Sequence, residues 1–180
     1  MGAVSGWRLF YGKSDIFRAV NLLVWLHDSG LGSWVRESLS IWSYPTILTL
    51  HTVGLALVAG LSMAVDLRIL GVARRAPLAP MASFFPVMWA GFWLSAVSGI
   101  VLFVADAPKK AVNPAFQLKL AFVAVAVILL RRMQRTLFGA RTSSTPPSEM
   151  TGQVLAAASL ISWLGAIVAG RLIAYWGENR

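Results

Sequence analysis

The chain has 180 residues, of which 57% are hydrophobic and 13% charged. A soluble domain carries about 25% charged and about 45–50% apolar residues, so a mean hydropathy of +0.69 excludes an ordinary cytosolic enzyme and excludes disorder. No cysteine is present, which removes disulfides, thiolate zinc sites, iron–sulfur clusters and cysteine nucleophiles. The 16 Lys and Arg outnumber 7 Asp and Glu and fall in short clusters between long apolar runs, the arrangement of a membrane protein.

Residues 1–44 read as an N-terminal interfacial, amphipathic segment. Met1 to Ser14 lacks the apolar core of roughly 7–15 residues that a signal peptide needs, and Gly6 stands where a myristoylation motif wants Ser or Thr. Ile16 to Leu26 (IFRAVNLLVWL) is apolar but short and is interrupted by Arg18, which suits a helix lying on the bilayer better than one crossing it. The alternative, a fifth span from residues 16–35, would reverse the N-terminus and leave the rest in place. Trp34 to Trp42 is a second amphipathic piece.

A hydrocarbon core of about 30 Å needs roughly 20 apolar residues. Residues 45–176 supply a four-helix transmembrane domain, with spans predicted at 45–65, 81–105, 115–130 and 154–176 and a short tail at 177–180. The third span is brief, but Asn113-Pro114 gives it an N-cap and a proline at the first helical position. Arg141 to Gly152 is the one polar linker. The loop after the first span carries Arg68, Arg74 and Arg75, and the loop after the third carries Arg131, Arg132, Arg135 and Arg141. Lys109, Lys110, Arg36 and Arg180 fall on the other side. The positive-inside rule then puts both termini outside.

Small residues let membrane helices approach. Gly91, Ser95 and Gly99 form one stripe on the second span, Ala158, Ser162, Ala166 and Gly170 one on the fourth, and Ala56, Gly60 and Ala64 one on the first. Trp89 and Trp93 project away from the glycines, toward lipid. His51 lies on the side of Leu55, Val58 and Ser62, nearly opposite Ala56, Gly60 and Ala64. The first span therefore has two non-lipid faces, which points to a central helix or to a second copy of the chain.

An ionisable side chain inside a span is a functional candidate by default. His51 sits roughly 9 Å below the outer boundary at 1.5 Å per residue, and Lys119 and Arg171 come out at similar depth, so the three are expected to form a polar layer. A neutral imidazole there can bind haem iron or copper, accept a proton, or donate to a neighbouring carbonyl. Lys119 and Arg171 lie within two turns of helix ends and can equally snorkel to headgroups. Haem faces an obstacle: His51 is the single imidazole at membrane depth, so the second ligand would be an unusual one such as Met88, or His51 of another subunit. Copper finds Met63, Met81, Met88 and Met133 scattered. Asp66 and Arg68 close the first span without facing each other. Asp66 is expected to pair with Arg132 or Arg135 as a structural clamp, or to serve as a proton or cation gate. Hydrolytic motifs are absent, and no basic stripe interleaved with aromatics supports nucleic-acid binding.

Arg36-Glu37-Ser38, Trp42-x-Tyr44-Pro45, His51-x-x-Gly54-x-Ala56-Leu57 and Asp66-Leu67-Arg68-x-Leu70-Gly71 resemble the signature of an uncharacterised bacterial multi-pass inner-membrane protein family, a domain of unknown function. Gly99-x-x-Leu102-Phe103 and Asn113-Pro114-Ala115-Phe116-x-x-Lys119 look like its later landmarks. The resemblance covers about residues 20 to 135. It implies an inner-membrane bundle, draws attention to His51, Asp66, Arg68 and Lys119, and supplies no reaction.

The sequence thus predicts an all-α membrane protein: a four-transmembrane-helix bundle with an N-terminal interfacial segment, in the bacterial inner membrane. Its expected role is a non-catalytic binding, transport or accessory subunit with a polar site around His51. One alternative is a haem b electron-transfer protein with His51 as axial ligand and Lys119, Arg171 or Arg36 pairing the propionates. Another is an exporter of a small solute or metal ion, with His51 and Asp66 handling protons. Expected partners are the bilayer and either further copies of the chain or a larger membrane complex.

Overall fold

The computed structural model describes residues 13–37, 43–72, 74–139 and 149–177. The readings placed on Met1 to Gly12, on the linker at 140–148 and on Arg180 lie outside the described residues. Helix α1 runs Lys13–His27 and α2 Gly30–Glu37. The break between them is a short turn at Asp28-Ser29, where Ser29 Oγ accepts from Gly32 N at 3.2 Å and so caps α2. At 15 residues, α1 is about 22 Å long, too short to cross the hydrocarbon core. Among the described residues 16–35 there are thus two short helices and no fifth span.

The long helices follow. Helix α3 (Tyr44–Ile69) starts with Pro45 in its first turn and ends at Gly71, whose φ of +95° lies in the left-handed region that glycine enters without a Cβ clash. A 3₁₀ turn at Ala79–Ser83 leads into α4 (Phe84–Val104), and the five-residue α5 (Ala107–Ala111) connects onward. Helix α6 (Pro114–Met133) opens as the sequence predicted: Asn113 Oδ1 accepts from Ala115 N at 2.9 Å and from Phe116 N at 3.3 Å. It continues into a π-helical turn at Gln134–Phe138, and α7 covers Glu149–Gly177. Four segments, α3, α4 with its 3₁₀ lead-in, α6 with its π turn, and α7, are long and apolar enough to cross a bilayer. The protein is an all-α, multi-pass membrane bundle.

Successive spans run antiparallel. Helix α3 packs tightly on α4, α6 tightly on α7, and α3 also meets α7. The fourth side, between α4 and α6, is closed by side chains: Phe103 stacks on Phe116 with centroids 5.5 Å apart, Trp89 Nε1 donates to Gln134 Oε1 at 3.0 Å, and Phe85 meets Phe138 edge-on at 5.0 Å. The core contains Val58, Val65, Phe85, Met88, Leu130, Met133 and Trp163. Val97, Ile100, Ile128, Ile161 and Val168 are exposed, as lipid-facing residues of a bundle must be. Helices α1 and α2 lie against α4 and α5 at one end, with Val35 fully buried there.

Two sequence expectations about faces need correction. On α3 the stripe Ala56, Gly60 and Ala64 is exposed, and a Cβ added at Gly60 would meet nothing within 4 Å. The packed face is Gly54, Val58, Ser62 and Val65, the side on which His51 projects. Trp93 is 60% exposed, as predicted. Trp89 instead turns toward α6, where it bonds Gln134 and lies under Arg131, 5.0 Å from the guanidinium carbon to the ring centroid.

Candidate functional site

The site is built on the crossing of α3 and α4. A Cβ added at Gly54 would lie 2.6 Å from Ser95 N and 2.7 Å from Gly91 O, and one at Gly91 would lie 2.9 Å from Gly54 O. Only glycines allow this backbone approach, which brings His51, one turn toward the start of α3, onto the Ser95–Gly99 turn of α4. There His51 Nδ1 is 2.8 Å from the Ser95 carbonyl oxygen. A carbonyl can only accept, so Nδ1 carries the hydrogen and donates. The hydroxyls of Ser95 and Ser98 stand farther off, at 3.3 and 3.4 Å, and Ser98 Oγ spends its hydrogen on Leu94 O at 2.6 Å.

Fixing the proton on Nδ1 leaves Nε2 as an acceptor. Lys119 Nζ lies 3.5 Å from it, so the ammonium points one N–H toward the imidazole. The lysine stem passes beside α7, where a Cβ on Gly170 would sit 3.6 Å from Lys119 Cδ. Lys110, on α5, stands above this pair and donates Nζ to the Leu102 carbonyl. Burial pushes the Lys110 amine below the ordinary lysine range; Asp106 opposes this and Lys119 adds to it. Among the described residues no carboxylate reaches ion-pair distance of Lys119.

The structure therefore brings together two of the residues expected in the polar layer, His51 and Lys119. Arg171 does not join them: it is exposed. Arg36 does not reach His51 either. Its guanidinium donates to the His27 carbonyl at 2.8 Å, to His27 Nδ1 at 3.1 Å and to the Ala105 carbonyl at 3.3 Å. With Lys110 on Leu102 O, it caps the last carbonyls of α4, the favoured place for a cation. Asp66 and Arg68 also fall elsewhere, at the opposite end of the bundle. The expected pairing of Asp66 with Arg132 or Arg135 is not formed: both arginines are exposed and neither Asp66 oxygen has a hydrogen-bond partner. Arg68 gives its Nε to the Ala76 carbonyl.

Sequence reasoning passed over Ser98, and read Ser95 and Gly99 as packing residues and Lys110 as a loop cation rather than as parts of the site. The available signal was their position: the small-residue stripe of α4 falls at the depth of His51, and a stripe that admits a helix backbone also admits an imidazole.

Among the described residues no group of three His, Asp or Glu side chains gathers around a metal position. The Nδ1–H bond of His51 to a carbonyl is one that a metal-bound imidazole also makes, while Nε2, the nitrogen an iron or copper would need, has the Lys119 ammonium in front of it. The sizeable surface hollow, about 390 Å³, lies on the outer face of α6 and α7 between Phe122, Ile161 and Gly165, away from His51. No protein-family model, curated protein or solved structure matches this chain.

Proposed function

We propose that this protein is a non-catalytic binding subunit of the bacterial inner membrane whose His51–Lys119 site takes an anionic group, a carboxylate or a phosphate. One observation carries the reading: Lys119 directs a single N–H at His51 Nε2, keeps two more to offer, and has no carboxylate partner among the described residues. A buried or half-buried ammonium without a counter-ion is costly, and an anion seated beside it offsets that cost. Lys110 adds positive charge at the same end.

The arginine-bearing end of the bundle, with Arg68, Arg74, Arg75, Arg131, Arg132 and Arg135, faces the cytoplasm in this reading, and the His51 end faces outward. The signature residues themselves fall at landmarks of the fold: Gly54 makes the helix crossing, His51 the site, and Gly71 the left-handed turn.

The test uses the protein in neutral detergent and in nanodiscs. Succinate and inorganic phosphate are titrated as free anions, and phosphatidylglycerol nanodiscs are compared with phosphatidylcholine ones. Losing a charge-assisted hydrogen bond costs about 1.5–3 kcal/mol, so Lys119→Gln should weaken the observed binding by roughly tenfold or more, while Lys109→Gln should leave it intact. Absence of binding by all three anions, or equal binding by Lys119→Gln, defeats the reading. Because the chain lacks cysteine, orientation is tested separately: an impermeant maleimide should label Lys109→Cys from outside the cell and spare Arg75→Cys.

A further inference from the structure

At the opposite end of the bundle three buried oxygens have no hydrogen-bond partner: Asp66 Oδ1, Asp66 Oδ2 and Ser159 Oγ. Both residues are 0% exposed. Helix α3 supplies Asp66 and α7 supplies Ser159, and the hydroxyl is the polar group that approaches the carboxyl. One turn deeper, Trp163 Nε1 of α7 donates to Ser62 Oγ of α3 at 3.0 Å. Positions four apart on each helix share a face, so Ser62 and Asp66 meet Trp163 and Ser159 in one register. The upper pair of this ladder is satisfied; the lower pair is not.

Among the described residues no basic group completes it. Arg68 is spent on the Ala76 carbonyl, Arg131 lies over Trp89, and Arg132 and Arg135 are exposed. The core that the other elements bring to this half is apolar, Phe85 and Met88 from α4 and Leu130 and Met133 from α6. Among the described residues no titratable or charged group from α4, α6 or α7 faces Asp66.

Hydrogen-bond counting then decides what is missing. An ionised carboxyl could accept the one hydroxyl hydrogen of Ser159 and would leave its second oxygen, and its charge, uncompensated in an apolar interior. A calcium-like cation wants about six to eight oxygens, and three are offered. A single proton removes the charge: the carboxyl O–H then has Ser159 Oγ as its acceptor, and one neutral carbonyl oxygen left unpartnered costs far less than a bare carboxylate.

We propose that Asp66 and Ser159 form an exchangeable proton-binding site inside the membrane. Uptake forms one O–H bond on the Asp66 carboxyl at the expense of one on a hydronium ion from the aqueous side, and neutralises the carboxylate; no oxidation state changes. Asp66 lies within a turn of the end of α3 at Ile69, so protons enter from the arginine-bearing end. The proposal is independent of anion binding at His51.

A hydrophobic carbodiimide, which modifies protonated carboxyls in apolar surroundings, tests it on the full chain in detergent, with the adduct located by mass spectrometry across acid to alkaline pH. Labelling is expected at Asp66, declining as the pH rises, and absent in Asp66→Asn. Ser159→Ala removes the one donor available to the ionised form. Its labelling should therefore persist to a proton concentration about tenfold lower, the equivalent of one pH unit. No adduct at Asp66 at any pH, or labelling independent of pH in both the wild type and Ser159→Ala, overturns the proposal. Should Asp66→Asn fail to assemble, the wild-type profile and Ser159→Ala still decide.

Discussion

The His51 imidazole rests on the bare backbone of Gly99: a Cβ added there would lie 3.0 Å from His51 Cε1 and 3.2 Å from Nδ1. Gly99→Ala should tilt the ring by a few tenths of an ångström, lengthen its bond to Ser95 O and cost about 1 kcal/mol, the low end of overpacking. Nitrogen NMR of labelled histidine should show the Nδ1–H tautomer fixed in the wild type and mixed in the variant. An unchanged spectrum would mean that Gly99 does not hold the ring.

Gly54 and Gly60 should respond oppositely to the same change. At Gly54 the added carbon meets main-chain atoms of α4 at 2.6 and 2.7 Å, so the helices must separate, and Gly54→Ala should cost about 3 kcal/mol. At Gly60 it meets nothing within 4 Å, and alanine's better helix propensity keeps Gly60→Ala within about 1 kcal/mol of the wild type, on the stabilising side. Thermal unfolding in detergent measures both.

The Trp163–Ser62 hydrogen bond crosses a fully buried interface between α3 and α7. Ser62→Ala leaves the indole N–H unsatisfied and should cost about 1–3 kcal/mol. Trp163→Phe removes the donor as well, so the double variant should fall short of additivity by about 1 kcal/mol. Additive costs would place the two groups out of contact.

Lys110 gives stability a pH dependence. Its folded-state pKa lies below the ordinary lysine value of 10.5 because the amine is buried. Between the two values the unfolded chain binds more protons, so stability rises with pH across that window and the cost of burying the cation is felt in full below it. The unfolding midpoint should climb from neutral toward alkaline pH in the wild type and climb less in Lys110→Met. Equal slopes would assign the dependence to another group.

Much of this was legible in the residues themselves. The four spans were set by runs of apolar residues long enough for a bilayer, and Asn113-Pro114 marked the start of α6 because its capping chemistry is local. The depth of His51 and of Lys119 followed from counting along two antiparallel helices. The packed face of α3 did not follow, because that helix is apolar on every side and carries small residues on two of them. What selects Gly54 over Gly60 is Gly91 on a different helix. Asp66 was expected beside Arg132 or Arg135 because the other loop at the same end of the bundle is rich in arginine. Those side chains end in the polar region while the carboxyl turns inward, toward a serine ninety-three positions further along the chain.

The uneven closure of the bundle has a mechanical consequence. Because α3 packs closely on α4 and α6 on α7, while α4 and α6 meet through a few side-chain contacts, the molecule is built as two helix pairs joined along one edge, like a clamshell. The His51–Lys119 contact bridges from one pair to the other. Whatever wedges between that imidazole and that ammonium pries at the open edge, where Phe103 stacked on Phe116 is the nearest latch.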